Sequence, residues 1–127
     1  MYLIISPKDS ILTHSTNTVY EFISELPKEI ELEGKWVCGL VECDLDPKPK
    51  TLYMYCDIVQ NSIVQGQLKP ILKILTEKNE FNQICYFPVT RSRLHRIRIS
   101  IRTKEDQLPT SRISDCFMII HFKRIKA

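Results

Sequence analysis

Glycine is scarce. Only Gly34, Gly39 and Gly66 occur in 127 residues. Neither a GxGxxG fingerprint nor a GxxxxGK motif closed by Ser or Thr is present, so the glycine-rich loops that cradle nucleotide phosphates are excluded. Long apolar runs are missing as well. The longest covers a few residues, against the ~20 that a helix needs to span a bilayer, and no membrane partner is expected. The opening Met1-Tyr2-Leu3-Ile4-Ile5-Ser6-Pro7-Lys8 has no basic stretch followed by a long apolar core, so it does not read as a signal peptide. No two of the five cysteines, Cys38, Cys43, Cys56, Cys85 and Cys116, have CxxC spacing, and their number is odd. Free thiols in an intracellular reducing compartment are therefore expected. Cys38, Cys56, Cys85 and Cys116 sit in apolar runs, where cysteine behaves as a small buried hydrophobe. The three histidines, His14, His95 and His121, are isolated. Zinc sites show paired ligands, so no metal or other cofactor is expected.

What is present is a single domain's worth of ordinary globular sequence. The chain is 43% hydrophobic and 26% charged, which fits one folded unit over residues 1–127. Its net charge of +3 conceals a division: residues 1–90 hold 8 Lys/Arg against 12 Asp/Glu, giving −4, and residues 91–127 hold 10 against 3, giving +7.

The dominant period is two, the period of a strand. Tyr2-Leu3-Ile4-Ile5 opens the series. A run over 19–26 ends at Pro27, and a separate run over 30–33 stops at Gly34. A longer strand over 36–45 holds Gly39, which marks a bulge or a close backbone approach. Further strands are predicted over 52–59, 71–75, 83–89, 94–102 and 116–123. Residues 46–50, 77–80 and 109–111 read as turns or loops, and 61–68, the best helix candidate, is too short and polar to be more than a turn. Eight or nine short strands with turns at these intervals predict an all-β, single jelly-roll-like antiparallel sandwich. The immunoglobulin-like alternative lacks its Cys…Trp…Cys signature, because Trp36 lies only two residues before Cys38.

Catalytic constellations are weak, and an enzyme is not expected. His14 and Ser15 are loop neighbours whose side chains have no reason to converge. His121 sits alone on a strand. Glu42 and Asp44 lie two apart on one strand and so share a face about 6.8 Å apart. That arrangement suits acid–base work or a hard cation, but one strand supplies too few oxygens for calcium. A solvated strand end explains it as well. Asp57, in an apolar run, needs an arginine or a backbone N–H as partner. A hydrolase using Glu42, Asp44 or His14 is the remotest reading.

The strongest physical signal is the stretch 91–104. Arg96, Arg98, Arg102 and Lys104 have one parity and Ile97, Ile99 and Ile101 the other, with Arg91 and Arg93 leading in. Such a strand buries three isoleucines and presents a row of cations. Three readings stand beside one another. The row is a solvated face whose charges discourage stray edge pairing, it meets an acidic protein surface, or it contacts nucleic-acid phosphates. Against the last, it lacks the interleaved aromatics of a single-strand platform. An acidic surface is available in the chain itself: residues 21–46 contain eight acidic residues and two lysines. Opposite patches on neighbouring copies would then orient assembly, with Glu42 and Asp44 on one side and Arg96, Arg98, Arg102 and Lys104 on the other.

Three blocks in order resemble a known family. Asn17-Thr18, Phe22, Leu26-Pro27 and Ile30, Leu32, Gly34, Trp36, Gly39-Leu40 form the first. Leu52-Tyr53-Met54-Tyr55-Cys56-Asp57-Ile58-Val59 with Val64, Gly66 and Leu68-Lys69-Pro70-Ile71-Leu72 form the second. Phe87-Pro88, Ser92, Ile97-Arg98-Ile99-Ser100-Ile101-Arg102 and His121-Phe122-Lys123-Arg124 form the third. Together these are similar to a β-rich protein of Maverick/Polinton elements and their adintovirus relatives, over nearly the whole chain. The family often has acidic residues where Arg98 and Ser100 stand here, and an aromatic-rich insertion where the loop after Asp46 is short. The resemblance implies a virion structural role: a penton-like minor capsid protein with a single jelly roll. Its expected partners are copies of itself in a cyclic oligomer, a pentamer, and other capsid proteins. The alternative is a β-sandwich binding module that contacts nucleic acid or an acidic protein through the basic strand.

Overall fold

Alternation between apolar and polar residues decides which segments become sheet. In Arg93–Arg102, the side chains of Ile97, Ile99 and Ile101 are fully buried and Arg96 and Arg98 are exposed. The same two-residue rhythm buries Met118, Ile120 and Phe122 from Phe117–Ile125 and Leu52, Met54 and Cys56 from Thr51–Cys56. Burying a side chain of this size contributes ~1.5–3 kcal/mol, so these alternating sets fix which face of each strand turns to the core and oppose a one-residue slip, which would expose the whole set.

The computed structural model describes residues 1–10, 12–44, 51–76, 84–109 and 117–125. Among them are ten strands: β1 (Tyr2–Ile5), β2 (Glu21–Glu31), β3 (Lys35–Asp44), β4 (Thr51–Cys56), β5 (Ser62–Val64), β6 (Gln67–Lys69), β7 (Ile71–Thr76), β8 (Phe87–Pro88), β9 (Arg93–Arg102) and β10 (Phe117–Ile125). Two four-stranded antiparallel sheets, β1-β10-β3-β8 and β2-β9-β4-β7, form the sandwich, and β5 and β6 form a separate hairpin. With that hairpin set aside, eight strands remain and the pairing is nested. The first pairs with the eighth, the second with the seventh, the third with the sixth and the fourth with the fifth. Pairing of β10 with β3 and of β9 with β4 then rolls this ribbon into two sheets. That is the jelly-roll topology. The core between the sheets holds Phe22, Leu40, Leu72, Leu94 and the strand residues already named.

Several expectations are corrected. β2 does not end at Pro27; it continues to Glu31, with a register break between Glu25 and Ile30. Proline is tolerated there because β2 is an edge strand and its missing N–H removes no central ladder bond. Loop side chains cover part of this edge. The Asn17 carboxamide donates to the carbonyl of Ile23 (2.9 Å) and accepts from its N–H (2.9 Å), and Ser10 Oγ accepts from the Glu25 N–H (2.8 Å). Residues 61–68 are a hairpin rather than a bare turn. Gln65 and Gly66 both take positive φ, 50° and 82°, as a two-residue type I′ loop demands. The strand over 52–59 stops at Cys56. Within 83–89 the strand is confined to Phe87–Pro88, Val59 and Val89 form an isolated bridge, and Gln83 lies outside the described residues. Both 46–50 and 77–80, most of 109–111 and Cys116 also lie outside them.

Gly39 marks a close approach. An added Cβ would lie 2.5 Å from the Cys85 carbonyl oxygen and 2.6 Å from Ile84 Cγ2. The 84–86 segment therefore lies across the outer face of the β1-containing sheet. Cys38, Cys43 and Cys56 are buried. Cys85 was expected to be buried too, and is instead exposed: it belongs to this overlying segment, not to a core strand.

Candidate functional site

The two outer faces of the sandwich hold the charged residues singled out in the sequence. On the β2-containing sheet, the pairing of β2 with β9 places Glu21 opposite Ser100, Ile23 opposite Arg98, Glu25 opposite Arg96 and Glu31 opposite Arg93. Acidic and basic rows thus lie side by side within one molecule. Arg98 meets Glu21 at 2.6 Å, Arg102 meets the same carboxylate at 3.3 Å, Arg96 meets Glu25 at 3.5 Å and Arg93 meets Glu31 at 3.6 Å. The expectation that residues 21–46 face the basic row of another copy is corrected for Glu21, Glu25 and Glu31, which are partnered in their own chain. Lys104 is corrected as well: β9 ends at Arg102, and Lys104 sits beyond the strand in an exposed turn.

Asp57 has both partners that its setting demanded. Its Oδ1 accepts the Arg98 backbone N–H and its Oδ2 accepts Arg91 Nη2, each at 3.0 Å. At the other end of the row the accounting is uneven, because two guanidiniums share Glu21. Beside them lies an open depression of about 390 Å³ lined by Tyr55, Lys69, Ser100, Arg102 and Asp106 among others. Lys69 binds Asp106 at 3.2 Å and stands 5.5 Å over the Tyr55 ring. Burial raises the pKa of the Tyr55 phenol, partly offset by Lys69.

Glu42 and Asp44 lie on the opposite sheet, so the structure does not bring them to the arginine row. They share the outer face of β3, both exposed. Across the ladder, Asp44 faces Phe117 and Glu42 faces Ile119, which in turn faces Ile4 of β1. Phe117 is 37% and Ile4 68% exposed. This apolar strip beside two carboxylates was missed in the sequence. The signal was there: Tyr2-Leu3-Ile4-Ile5 is apolar on both parities, so one of its faces had to remain outside the core.

His14 and His121 lie apart, each with its own partners. His14 Nε2 lies 2.8 Å from Glu25 Oε1. That hydrogen bond, helped by the charge of Arg96, holds the Glu25 carboxyl below its usual pKa despite an opposing desolvation effect. His121 stacks on Tyr2, with ring centroids 4.5 Å apart, and its Nδ1 is 2.8 Å from the Tyr86 hydroxyl, while Lys123 Nζ stands 4.1 Å from the centre of the Tyr86 ring. Burial, then the Met1 ammonium and Lys123, push the His121 pKa down. Burial pushes the Cys38 thiol up to about 12 and also raises that of Cys56, which leaves both protonated and unreactive at neutral pH. Among the described residues no three His, Cys, Asp or Glu side chains are grouped to hold a metal ion, and no helix is long and apolar enough to cross a membrane.

What the fold and these surfaces define is an antiparallel jelly roll with one ion-paired face and one mixed apolar and acidic face. Comparison with protein-family models, with curated proteins and with solved structures finds no match.

Proposed function

We propose that this chain is a virion structural protein: a penton-like minor capsid component with a single jelly roll, which assembles into a cyclic oligomer, a pentamer, and contacts other capsid proteins. The nested strand order of the sandwich is the observation that supports this reading most, because viral capsid domains are among the main users of that architecture. The three-block resemblance to the Maverick/Polinton and adintovirus protein points the same way. A capsid role asks for a stiff sandwich and for surfaces that repeat around a symmetry axis, and it asks for no catalysis. Buried, protonated thiols at Cys38 and Cys56 suit a protein made in the reducing interior of a host cell and carried in a virion.

The nucleic-acid alternative is weakened by the geometry. Arg96, Arg98 and Arg102 lie against the carboxylates of Glu25 and Glu21, which leaves one guanidinium in excess rather than a row of free cations to follow a phosphate backbone. Native mass measurement of the purified chain over a range of salt concentrations tests the proposal. A closed ring of defined copy number is expected. A strict monomer at high protein concentration, with no incorporation into particles on co-expression with major capsid protein, overturns it.

A further inference from the structure

Each outer face of the sandwich has a row of three side chains running across three neighbouring strands. On the β1-containing sheet the row is Glu42 on β3, Ile119 on β10 and Ile4 on β1. On the other sheet it is Arg102 on β9, Tyr53 on β4 and Ile74 on β7. Strands in a sheet are about 4.8 Å apart, so both rows have the same spacing. Both begin with a charge and continue with two apolar side chains, and the charges are opposite. Ile4 is 68% and Ile74 46% exposed, and on the two four-stranded sheets the only other exposed aliphatic among the described residues is Ile125 near the end of β10; Ile63 and Leu68, also exposed, belong to the separate β5–β6 hairpin.

We propose that these rows are the two halves of one head-to-tail contact between copies of this chain. This rests on the structural reading above and names the surfaces it would use. Laid face to face in the same sense, Glu42 meets Arg102, Ile119 meets Tyr53 and Ile4 meets Ile74. Charge supports this occupant. Arg102 shares Glu21 with Arg98, two guanidiniums on one carboxylate, so a second carboxylate arriving there is attracted. Glu42 brings one from an exposed position on a face that also holds Asp44. The outer faces of a sandwich point away from each other, so one copy cannot satisfy both rows by itself. The contact is heterologous, and it closes into a ring when the rotation between copies divides a full turn evenly.

Complementation tests the contact. Ile4→Asp blocks one row and Ile74→Asp blocks the other, both at exposed positions, and circular dichroism with thermal melting checks that each variant is folded. Ile4→Ala and Ile74→Ala serve as milder versions. In sedimentation at high protein concentration and low salt, each Asp variant alone is expected to be monomeric. Their equimolar mixture is expected to form a one-to-one dimer and nothing larger, because each copy retains the half that the other lacks. Glu42→Arg and Arg102→Glu are each expected to weaken assembly about tenfold or more, and the double reversal to recover most of that loss. If the wild type forms rings and every variant forms them equally well, the contact is wrong and the capsid reading stands. Blocked variants that fail to pair on mixing overturn the head-to-tail contact. A wild type that stays monomeric throughout overturns both.

Discussion

Arg98 and Glu21 are 77 residues apart in sequence, yet their side chains meet at 2.6 Å across the pairing of β2 with β9, the second and seventh strands of the sandwich. Part of the charge division of the chain is thereby folded against itself: Glu21, Glu25 and Glu31 from the acidic early segment are neighbours of Arg93, Arg96, Arg98 and Arg102 from the basic late one on one sheet face. A double-mutant cycle on Glu21→Gln and Arg98→Gln should return a coupling of about 0.2–1 kcal/mol, the usual worth of a partly exposed pair. The coupling should shrink as salt is raised. Coupling that is absent at low salt would mean the two side chains do not meet in solution.

Acid should act through Glu25. Its folded-state pKa lies below the ordinary 4.5, first because of the His14 hydrogen bond and then Arg96. A depressed carboxylate pKa adds stability that is fully present above the unfolded value and is lost as pH falls through the folded one. Denaturant melts of wild type and Glu25→Gln should therefore differ at pH 6 to 7 and converge as the pH drops well below 4.5. A gap that stays constant across the acid range contradicts the assignment.

Gly39→Ala should be costly in spite of its small size. The new methyl would press on the backbone carbonyl of Cys85, which has no side-chain freedom with which to retreat. A loss of about 1–3 kcal/mol is expected, as for overpacking of a tight site. Gly66→Ala meets nothing within 4 Å but sits at φ +82°, so it should lose about 1–2 kcal/mol through left-handed strain alone. Urea melts of the two variants check both figures. A neutral Gly39→Ala would show that the 84–86 segment does not lie on the sheet.

Thiol labelling separates the cysteines. In a Cys116→Ser background, Cys85 should react quickly with a maleimide in the native protein, and Cys38, Cys43 and Cys56 only once the chain unfolds. Rapid labelling of all four in native buffer would contradict the burial of the core thiols.

Much of this was legible in the sequence, and particular residues show why. Ile97, Ile99 and Ile101 alternate strictly with polar neighbours, so both the strand and its buried face followed from the period. Asp57 in its apolar run had to find a donor, and it found two. Gly39 announced a close approach, though not which segment makes it. Partner identity was what the sequence withheld. Nothing local tells Glu21 that it will lie beside Arg98 rather than beside another molecule, because register between distant strands is set by the whole nested ribbon. Pro27 misled for a related reason: whether a proline ends a strand depends on whether that strand is at a sheet edge, and edges are a property of the assembled sheet. The Ile4 and Phe117 strip went unseen because an apolar strand with two apolar parities does not reveal which face is covered.

The capsid proposal meets its most direct test in electron microscopy of the purified protein at high concentration and low salt. Rings of uniform diameter with one copy number, five by this reading, are expected. A field of single small particles with no rings, unchanged as concentration rises, would contradict it.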